Sequence, residues 1–517
     1  MSTKFKIFLV FYAALIAFII AVPFLYGFIL KNTDLTFTGL YSLYSNEVFY
    51  YLTLGPIQVP EGGFFFEDRY DRAVKGYHFI NVIGYIIYQI SSITNVNIET
   101  SFLIYKIVAS IFCVMSLMFV LKDHIRYNFV FVLALVAFVF SAGLGWANII
   151  SMGWDITAPE MNVFISLITE YYLPLAILCF NISFGIFFRL LYKFSIKYSI
   201  YLGISLLVLG IIYIYSLVIL GLFMFLCFCY LKFVQHPSFK NNLFIFIVIP
   251  IPIVLYYCWL YMTILGDDGR SDGWIMGPKF WEYFVTYFWH IIALLALLIA
   301  NRQTFYKNKI VQVCLAYIVY HFIISRIPPP YFPFQVQSYV GLSFCYIITI
   351  SILLSTYKFN IYNKILIVVL IFFSAITNVF SYNNLLKSIQ NTEYPIFISK
   401  DELNSYQEIQ NLVEENSKIC VCQEKARVMS YYTGAFVSLD VVPDYVKGEN
   451  KDFWNDLNKV HYKEFDIINF FKIKQFDYLY IDQSNPNCKL NDVTLKKMTL
   501  SSKLLFHEKN IFFFKVN

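Results

Sequence analysis

Eleven mostly apolar runs follow one another along this chain, and each has roughly the 20 residues that a helix needs to cross about 30 Å of hydrocarbon. They cover residues 7–30, 103–121, 128–147, 171–190, 199–214, 217–233, 243–264, 283–300, 310–325, 337–355 and 362–381. Hydrophobic residues occupy 59% of the 517 positions and charged residues only 14%, whereas soluble domains carry about 25% charged residues. The sequence therefore excludes a soluble enzyme and predicts a polytopic α-helical membrane protein with about 11 transmembrane helices.

Two apolar blocks are ambiguous, and length decides one of them while charge decides the other. The block 199–233 is too long for one helix, so we divide it near Tyr215 and Ser216. If the N-terminus is cytoplasmic and 79–94 is not a span, the inner loops are basic and the outer loops acidic, as the positive-inside rule requires. The basic residues include Lys122, Arg189, Lys193, Lys240, Lys307 and Lys358, and the acidic ones are Asp155, Glu160, Asp267, Asp268 and Asp272. Counting 79–94 would reverse every later loop, so we expect an interfacial helix near 78–93 on the outer face.

The composition changes at the end of the last span. An odd number of spans places residues 385–517 outside, and residues 395–517 are rich in Lys, Asp, Glu and Asn. Short β-type runs at 418–422, 478–481 and 511–516 alternate there with helical segments such as 401–415. The sequence predicts a transmembrane domain, 1–384, which includes an outer loop at 31–102, and a small extracytoplasmic α/β domain at 385–517.

Three cysteines lie in that outer segment. Cys420 and Cys422 form a Cys-x-Cys pair, and Cys488 follows. A disulfide between one of the pair and Cys488 is one interpretation in an oxidising compartment. The alternatives are buried free thiols and, less favoured because no fourth ligand has a suitable spacing, a zinc site.

The outer loop holds a concentration of acidic and aromatic residues. Glu47 stands among tyrosines and phenylalanine in the run 44–51, and the charged run 67–72 follows about twenty residues later. Carboxylates gathered at one membrane face indicate an interfacial active site. The net charge of +6 belongs mostly to the inner loops, so it gives no indication of nucleic-acid binding.

The order of these parts resembles the GT-C superfamily of membrane-embedded glycosyltransferases. Glu47–Tyr50 falls where that superfamily has its first-loop acidic motif, although Asn46 precedes a single Glu here. The other matching features are the Gly-aromatic turn at 62–66, the juxtamembrane helix at 75–92, the basic residue Lys106 near the start of the second span, and the stretches 141–146, 154–155 and 159–165, which look like bacterial members. The resemblance implies an enzyme of the bacterial inner membrane, with a cytoplasmic N-terminus, that uses a sugar donor linked to polyprenyl phosphate. Its acceptor would be a glycan, lipid or protein.

Such a donor needs one carboxylate. Because its leaving group is already an acidic phosphate, a single general base suffices to deprotonate the acceptor hydroxyl for in-line, inverting attack. Glu47 is the candidate, since Tyr44, Phe49 and Tyr50 would desolvate it and raise its basicity. Tyr50 is also a candidate for binding the sugar or acceptor. The alternative is that Glu47 is a loop acid at the headgroup level.

The leaving phosphate needs fixed cations. Arg326, Arg72 and Lys75 are the candidates, and Arg326 is the nearest match to the arginine that many GT-C members carry near the last outer loop. It precedes three prolines, Pro328 to Pro330, which cannot continue a helix. Gln335, Gln337 and Glu160 are candidates for binding sugar or acceptor hydroxyls. The alternative for Arg326 is that it reaches lipid phosphates.

Other polar residues leave further possibilities open. Glu67 and Asp68 are weak candidates for a divalent metal, because neighbouring arginines would pair with them; no cofactor is certain. His290 and His321 lie within apolar spans, where polar residues are functional candidates, although their positions near the span ends favour interfacial hydrogen bonding.

Two other classes of function compete with the glycosyltransferase. One is a transporter or flippase for a lipid-linked glycan, against which the spans carry few charges and no inverted repeat. The other is a non-catalytic membrane scaffold or sensor with an outer ligand-binding domain.

Overall fold

The computed structural model describes most of the chain outside the first outer loop and part of the C-terminal segment. The described residues are 3–30, 34–40, 65–67, 78–125, 129–144, 162–169, 172–234, 240–265, 280–327, 339–356, 361–414, 417–437, 476–485, 488–490 and 492–516.

Helices account for most of residues 1–390. They are α1 (Thr3–Leu30), α2 (Val82–Thr94), α3 (Ile98–Leu121), α4 (Phe129–Phe140), α5 (Val163–Thr169), α6 (Leu173–Lys193), α7 (Ile196–Ile212), α8 (Ile214–Phe233), α9 (Ile245–Val248), α10 (Ile251–Leu265), α11 (Phe280–Thr286), α12 (Phe288–Ala300), α13 (Arg302–Lys307), α14 (Lys309–Ile324), α15 (Leu342–Ser355), α16 (Ile361–Ser374) and α17 (Ile376–Gln390). A 3₁₀ turn, Asn241–Phe244, precedes α9. The described part of each of the eleven apolar runs is mostly helical.

The helices have the length and composition of membrane spans. Among the described residues, six helical segments are long and apolar enough to cross a membrane, and several shorter apolar helices accompany them. The protein is therefore an integral membrane protein, while a count of eleven spans stays a prediction.

Two helix boundaries differ from the sequence-based expectation. The break between α7 and α8 lies at Tyr213, two residues before the predicted division, because Tyr213 adopts φ −154° and ψ 88°, outside the helical region. The helix expected near 78–93 begins at Val82. His78–Ile80 instead form a strand, and the Asn81 side chain caps the helix by accepting a hydrogen bond from the Gly84 N–H at 2.9 Å.

The described chain divides into two compact units. Unit 1 comprises Met1–Leu25, Leu103–Trp259 and Ile275–Ser388, and unit 2 comprises Tyr26–Phe102, Leu260–Trp274 and Ile389–Asn517. The predicted division at residue 384 stays a prediction.

Helix α15 is largely enclosed within unit 1. It packs against α14, α12 and α4, and twelve of its fourteen residues are buried, as expected of a helix that is apolar all round. Gly341 starts it at φ +83°, and a Cβ atom there would lie 2.3 Å from the Phe180 ring. A glycine is therefore required where α15 meets α6.

The described residues of unit 2 form three sheets. Strand β1 (Leu35–Phe37) pairs antiparallel with β4 (Phe397–Ser399), and β2 (Phe65–Glu67) pairs antiparallel with β3 (His78–Ile80). Just after β1, the Thr38 N–H donates to the Ile396 carbonyl at 3.0 Å. The sequence analysis did not predict this pairing of the first loop with the segment after the last membrane helix.

The third sheet is mixed and has five strands, in the order β6-β5-β7-β9-β8. The strands are β5 (Lys418–Cys420), β6 (Phe436–Val437), β7 (Tyr478–Asp482), β8 (Lys503–Glu508) and β9 (Ile511–Lys515), and the accompanying helices are α18 (Lys400–Leu412), α19 (Gln423–Thr433) and α20 (Asp492–Ser501). β6, β5 and β7 are parallel, whereas β9 is antiparallel to both β7 and β8. All five residues of the central strand β7 are buried.

A disulfide and a buried ion cluster hold α19 to the chain that follows β7. Cys422, which caps α19, is bonded to Cys488 with a Cα–Cα distance of 5.2 Å, whereas Cys420 is buried and takes no part in this disulfide. In the same turn of α19, the Lys425 ammonium contacts the Glu402 carboxylate and lies 3.4 Å from Asp482 Oδ2. All three side chains are about 95% buried, and the Tyr406 hydroxyl also donates to Glu402.

Candidate functional site

Most of the predicted site residues lie outside the described part of the chain. Those are Glu47, Tyr50, Asp68, Arg72, Lys75, Glu160, Gln335 and Gln337. Glu67 is described only as the backbone of the last residue of β2. Arg326 is the predicted site residue whose side-chain contacts the structure describes.

Arg326 follows the C-terminal end of α14. Asn308 starts that helix by accepting hydrogen bonds from the N–H groups of Ile310 and Val311. At the other end, the Ser325 N–H bonds to the His321 carbonyl at 2.9 Å and the Arg326 N–H to the Ile323 carbonyl at 3.0 Å. The chain therefore closes in a tight turn before the three prolines of the sequence, and this turn fixes the backbone from which Arg326 extends.

Aromatic rings hold the Arg326 guanidinium. Its central carbon lies 4.9 Å from the centroid of the Phe322 ring and 5.9 Å from that of Tyr283, and the side chain is half-buried. Both distances are within the range of a cation–π interaction. The positive charge is thus kept at a defined place at the end of the helix.

A cluster of four buried tyrosines adjoins Arg326. Its members, here called the tyrosine cluster, are Tyr283, Tyr287, Tyr339 and Tyr346. The hydroxyl groups of Tyr283 and Tyr346 lie 2.9 Å apart, and the ring of Tyr287 stacks on those of Tyr346 and Tyr339 at 5.4 and 6.3 Å. Sequence analysis missed this cluster, because its members are separated by up to 63 positions and each resembles an ordinary belt tyrosine.

Two histidines border the tyrosine cluster. His321 meets the Tyr339 ring edge-on at 4.4 Å. His290 lies 5.9 Å from the Tyr287 ring and 5.6 Å from the Tyr346 ring, and its Nε2 is 2.9 Å from Ser141 Oγ. Both histidines are buried, and the interfacial role expected from their positions near the span ends stays a prediction.

Gly143 and Leu144, which follow α4, contact the end of α11 and the start of α17. The Leu144 N–H donates to the Val285 carbonyl at 2.9 Å, and the Thr377 hydroxyl donates to the Gly143 carbonyl at 3.0 Å. A Cβ atom on Gly143 would lie 2.3 Å from the Thr286 carbonyl oxygen, so only glycine permits this approach. The ends of α4 and α11 and the start of α17 therefore meet beside the tyrosine cluster.

A separate polar contact orders the short helix α5. The Asn162 amide donates to Asn378 Oδ1 at 2.7 Å and accepts from the Phe164 N–H at 3.1 Å. At the other end of α5, the Lys106 ammonium donates to the Ile168 carbonyl. Lys106 and Asn162 are both buried, so polar groups from three parts of the chain fix a helix of only seven residues.

The arrangement around Arg326 suits an anionic ligand. A guanidinium offers several N–H donors in a planar fork that matches phosphate or carboxylate oxygens. The phenols and the imidazole next to it supply neutral hydrogen-bonding groups and flat ring faces. Among the described residues, no group of three His, Cys, Asp or Glu side chains could hold a metal ion.

Several solved structures share the fold of this chain. ArnT from Cupriavidus metallidurans bound to undecaprenyl phosphate matches with a TM-score of 0.52 and 8% identity, over 100% of this chain and 99% of that one. Oligosaccharyltransferase AglB from Archaeoglobus fulgidus, in complex with an inhibitory peptide and a dolichol-phosphate, matches with a TM-score of 0.51 and 10% identity, over 100% of this chain and 75% of that one. Arabinofuranosyltransferase AftD from Mycobacteria matches with a TM-score of 0.56 and 11% identity, over 98% of this chain and 40% of that one.

These three proteins are GT-C glycosyltransferases, so the chain has a GT-C-like fold, as the sequence resemblance predicts. The sequence matches no protein-family model and no curated protein.

Proposed function

We propose that the protein is a membrane glycosyltransferase that moves a sugar from a polyprenyl-phosphate-linked donor to a glycan, lipid or protein acceptor. The observation that carries the proposal is Arg326, a cation held by Phe322 and Tyr283 at a helix end of a GT-C-like fold. The lipid phosphates bound to ArnT and AglB support a donor of that class.

In this proposal the chemistry needs one proton transfer. The acceptor oxygen attacks the anomeric carbon, the bond between that carbon and the phosphate oxygen breaks, and the phosphate leaves with the electron pair. The acceptor proton passes to the Glu47 carboxylate. Attack opposite the leaving group inverts the anomeric carbon.

The other site residues divide between donor and acceptor. Arg326, Arg72 and Lys75 bind the phosphate and stabilise its developing charge. Tyr50, Glu160, Gln335 and Gln337 bind sugar or acceptor hydroxyls. A divalent metal at Glu67 and Asp68 is a weaker suggestion, and no step above depends on it.

We also propose on which side of the membrane the reaction takes place. The site and residues 385–517 lie on the extracytoplasmic side of the bacterial inner membrane, and the N-terminus is cytoplasmic. Two observations support this: the basic inner loops and the Cys422–Cys488 disulfide, since disulfides persist in oxidising compartments. Labelling of a single cysteine introduced at position 307 by an impermeant reagent from outside would contradict the orientation.

The test is transfer by the purified full chain in liposomes. Undecaprenyl-phosphate-linked pentoses and hexoses with a radiolabelled sugar are supplied together with a cell-envelope extract as acceptor. We expect label in the acceptor and an equal amount of undecaprenyl phosphate released, and Glu47→Gln should lower the rate 10²- to 10⁴-fold. Movement of the intact donor across the bilayer without cleavage would identify a flippase instead.

A further inference from the structure

His290 is held in one tautomer by the residues around it. The Ser141 hydroxyl donates its single hydrogen to the Ala137 carbonyl, so its oxygen can only accept from His290 Nε2, 2.9 Å away. The imidazole therefore carries its proton on Nε2. This leaves Nδ1 as a hydrogen-bond acceptor.

That acceptor has no partner among the described residues. His290 is 4% exposed and its Nδ1 atom makes no hydrogen bond there. Leaving a buried polar atom unpaired is costly, and the great majority of such atoms in native proteins are paired. The imidazole ring as a whole lies beside the rings of Tyr287 and Tyr346, within the tyrosine cluster that adjoins Arg326.

A second buried polar group lies four residues earlier in the chain. Thr286 is 1% exposed, and its hydroxyl likewise has no partner in the described part of the chain. Thr286 ends α11 and His290 lies in the first turn of α12. Both ends pack against the residues after α4, because the Leu144 N–H donates to the Val285 carbonyl and Ser141 Oγ lies 2.9 Å from His290 Nε2. One acceptor and one hydroxyl therefore lie beside the same segment.

The chemistry of this pair defines its ligand. An imidazole acceptor beside a threonine hydroxyl complements a hydroxyl group, which donates one hydrogen bond and accepts others. A sugar carries such hydroxyl groups, and this recognition needs no charge.

We propose that His290 and Thr286 form a recognition site for a sugar hydroxyl of the substrate, with Ser141 as the positioning residue that holds the imidazole in the Nε2–H tautomer. This proposal rests on the proposed glycosyl transfer. The hydroxyl belongs either to the donor sugar or to the acceptor glycan.

Kinetics of the full chain test the proposal. Thr286→Val removes the hydroxyl without changing the shape, and His290→Phe removes the acceptor. Each should raise the KM for one substrate about tenfold, the effect of losing one hydrogen bond to a ligand, with a smaller change in kcat. A rise in the donor KM assigns the hydroxyl to the donor, and a rise in the acceptor KM assigns it to the acceptor.

Tyr317→Phe is the matched control. Tyr317 is fully buried in the same unit, between Phe184 and Phe223, so its variant also loses one buried hydroxyl but should keep both KM values. If Thr286→Val keeps both KM values within twofold of the parent while the parent transfers sugar, this inference fails and the proposed function stands. If the parent transfers no sugar, the proposed function fails first.

NMR of the parent chain tests the proposal even if the His290→Phe variant does not fold. In the parent chain labelled with ¹⁵N-histidine, the His290 Nδ1 resonance should be that of an unprotonated nitrogen, and Ser141→Ala should change it. Undecaprenyl phosphate carrying the transferred sugar, or the acceptor glycan, should shift this resonance, whereas undecaprenyl phosphate alone should not. A protonated Nδ1 in the parent would overturn the assignment.

Discussion

The hydroxyl oxygens of Tyr283 and Tyr346 lie 2.9 Å apart in the buried interior of unit 1. Tyr346→Phe leaves the Tyr283 hydroxyl buried without this partner, and we expect it to lower the free energy of unfolding by about 1–3 kcal/mol. The double variant with Tyr283→Phe removes both hydroxyls, so it should cost less than the sum of the two single changes. Denaturant titration of the four proteins in detergent measures the coupling, and additive effects would show that the two groups do not interact.

Arg326 should matter through its charge and its geometry. Arg326→Ala removes a charge-assisted contact to the donor phosphate and should lower kcat/KM for the donor about 10- to 100-fold. Arg326→Lys keeps the charge but loses the planar fork, so its loss should be smaller.

Arg189→Ala is the control for the Arg326 variants. Its guanidinium also lies over a phenylalanine, Phe119, at 4.1 Å, but it is bonded to Asp123 at 2.7 Å. Its donor kinetics should match those of the parent. Unimpaired donor kinetics in both Arg326 variants would show that Arg326 contacts lipid headgroups instead.

The membrane part of the fold could be predicted from sequence because its signal is local. An apolar run of bilayer length predicts a helix whatever its neighbours in space are. The β-type runs at 418–422, 478–481 and 511–516 are likewise recognised from their own residues alone. The pairing of β1 with β4 has no such signal. It joins a three-residue segment that follows the first membrane helix to another that follows the last, and no sequence pattern indicates that the two should pair.

The disulfide should stabilise the sheet of unit 2. Cys422 and Cys488 are 66 residues apart in sequence, and a bond that closes a loop of this size typically contributes about 2–4 kcal/mol. We expect Cys422→Ser with Cys488→Ser to lower the unfolding midpoint, and reductant to lower the parent to the same value. Cys420→Ala, which changes a cysteine of β5 outside this disulfide, should leave the response to reductant intact.

Lys425 and Lys515 of unit 2 should contribute very differently to the stability of the fold. Lys425→Met leaves the buried carboxylates of Glu402 and Asp482 without their cation, and such a loss typically costs about 3–5 kcal/mol. Lys515→Met removes an exposed contact to Glu414 at 2.5 Å and should hardly change the unfolding midpoint. Equal midpoints for the two variants would show that the buried cluster is not ionised.

The Lys515–Glu414 contact should have a limited pH range. The Lys515 ammonium lowers the pKa of Glu414 below 4.5, and the Glu414 carboxylate raises the pKa of Lys515 above 10.5. The pair therefore contributes fully between these two values, and its contribution is lost as the pH falls through the lowered pKa of Glu414. The small difference in unfolding midpoint between the parent and Lys515→Met should vanish in acid and in high salt; a difference that persists at pH 2 would contradict the assignment.

The candidate site was predictable only in part. Arg326 stood out because a cation beside three prolines at the end of an apolar run is rare. Thr286 did not stand out, His290 did so only as a polar residue within an apolar span, and Ser141 only as part of the run 141–146, because the significance of all three depends on which hydrogen bonds are already made. The Ser141 hydroxyl hydrogen is already used in a bond to Ala137, and His290 Nδ1 has no partner among the described residues. Both facts follow from three-dimensional contacts, which the order of residues does not reveal.

The pairing of β1 with β4 also sets an order of events during synthesis. The Thr38 N–H bonds to a carbonyl 358 residues later, and at about 5–20 residues per second the ribosome needs roughly 20–70 s to make the intervening chain. During that interval the edge of β1 is an unpaired template that other strands can join. The first loop therefore has to persist without its β4 partner until the chain beyond the last membrane helix has been made.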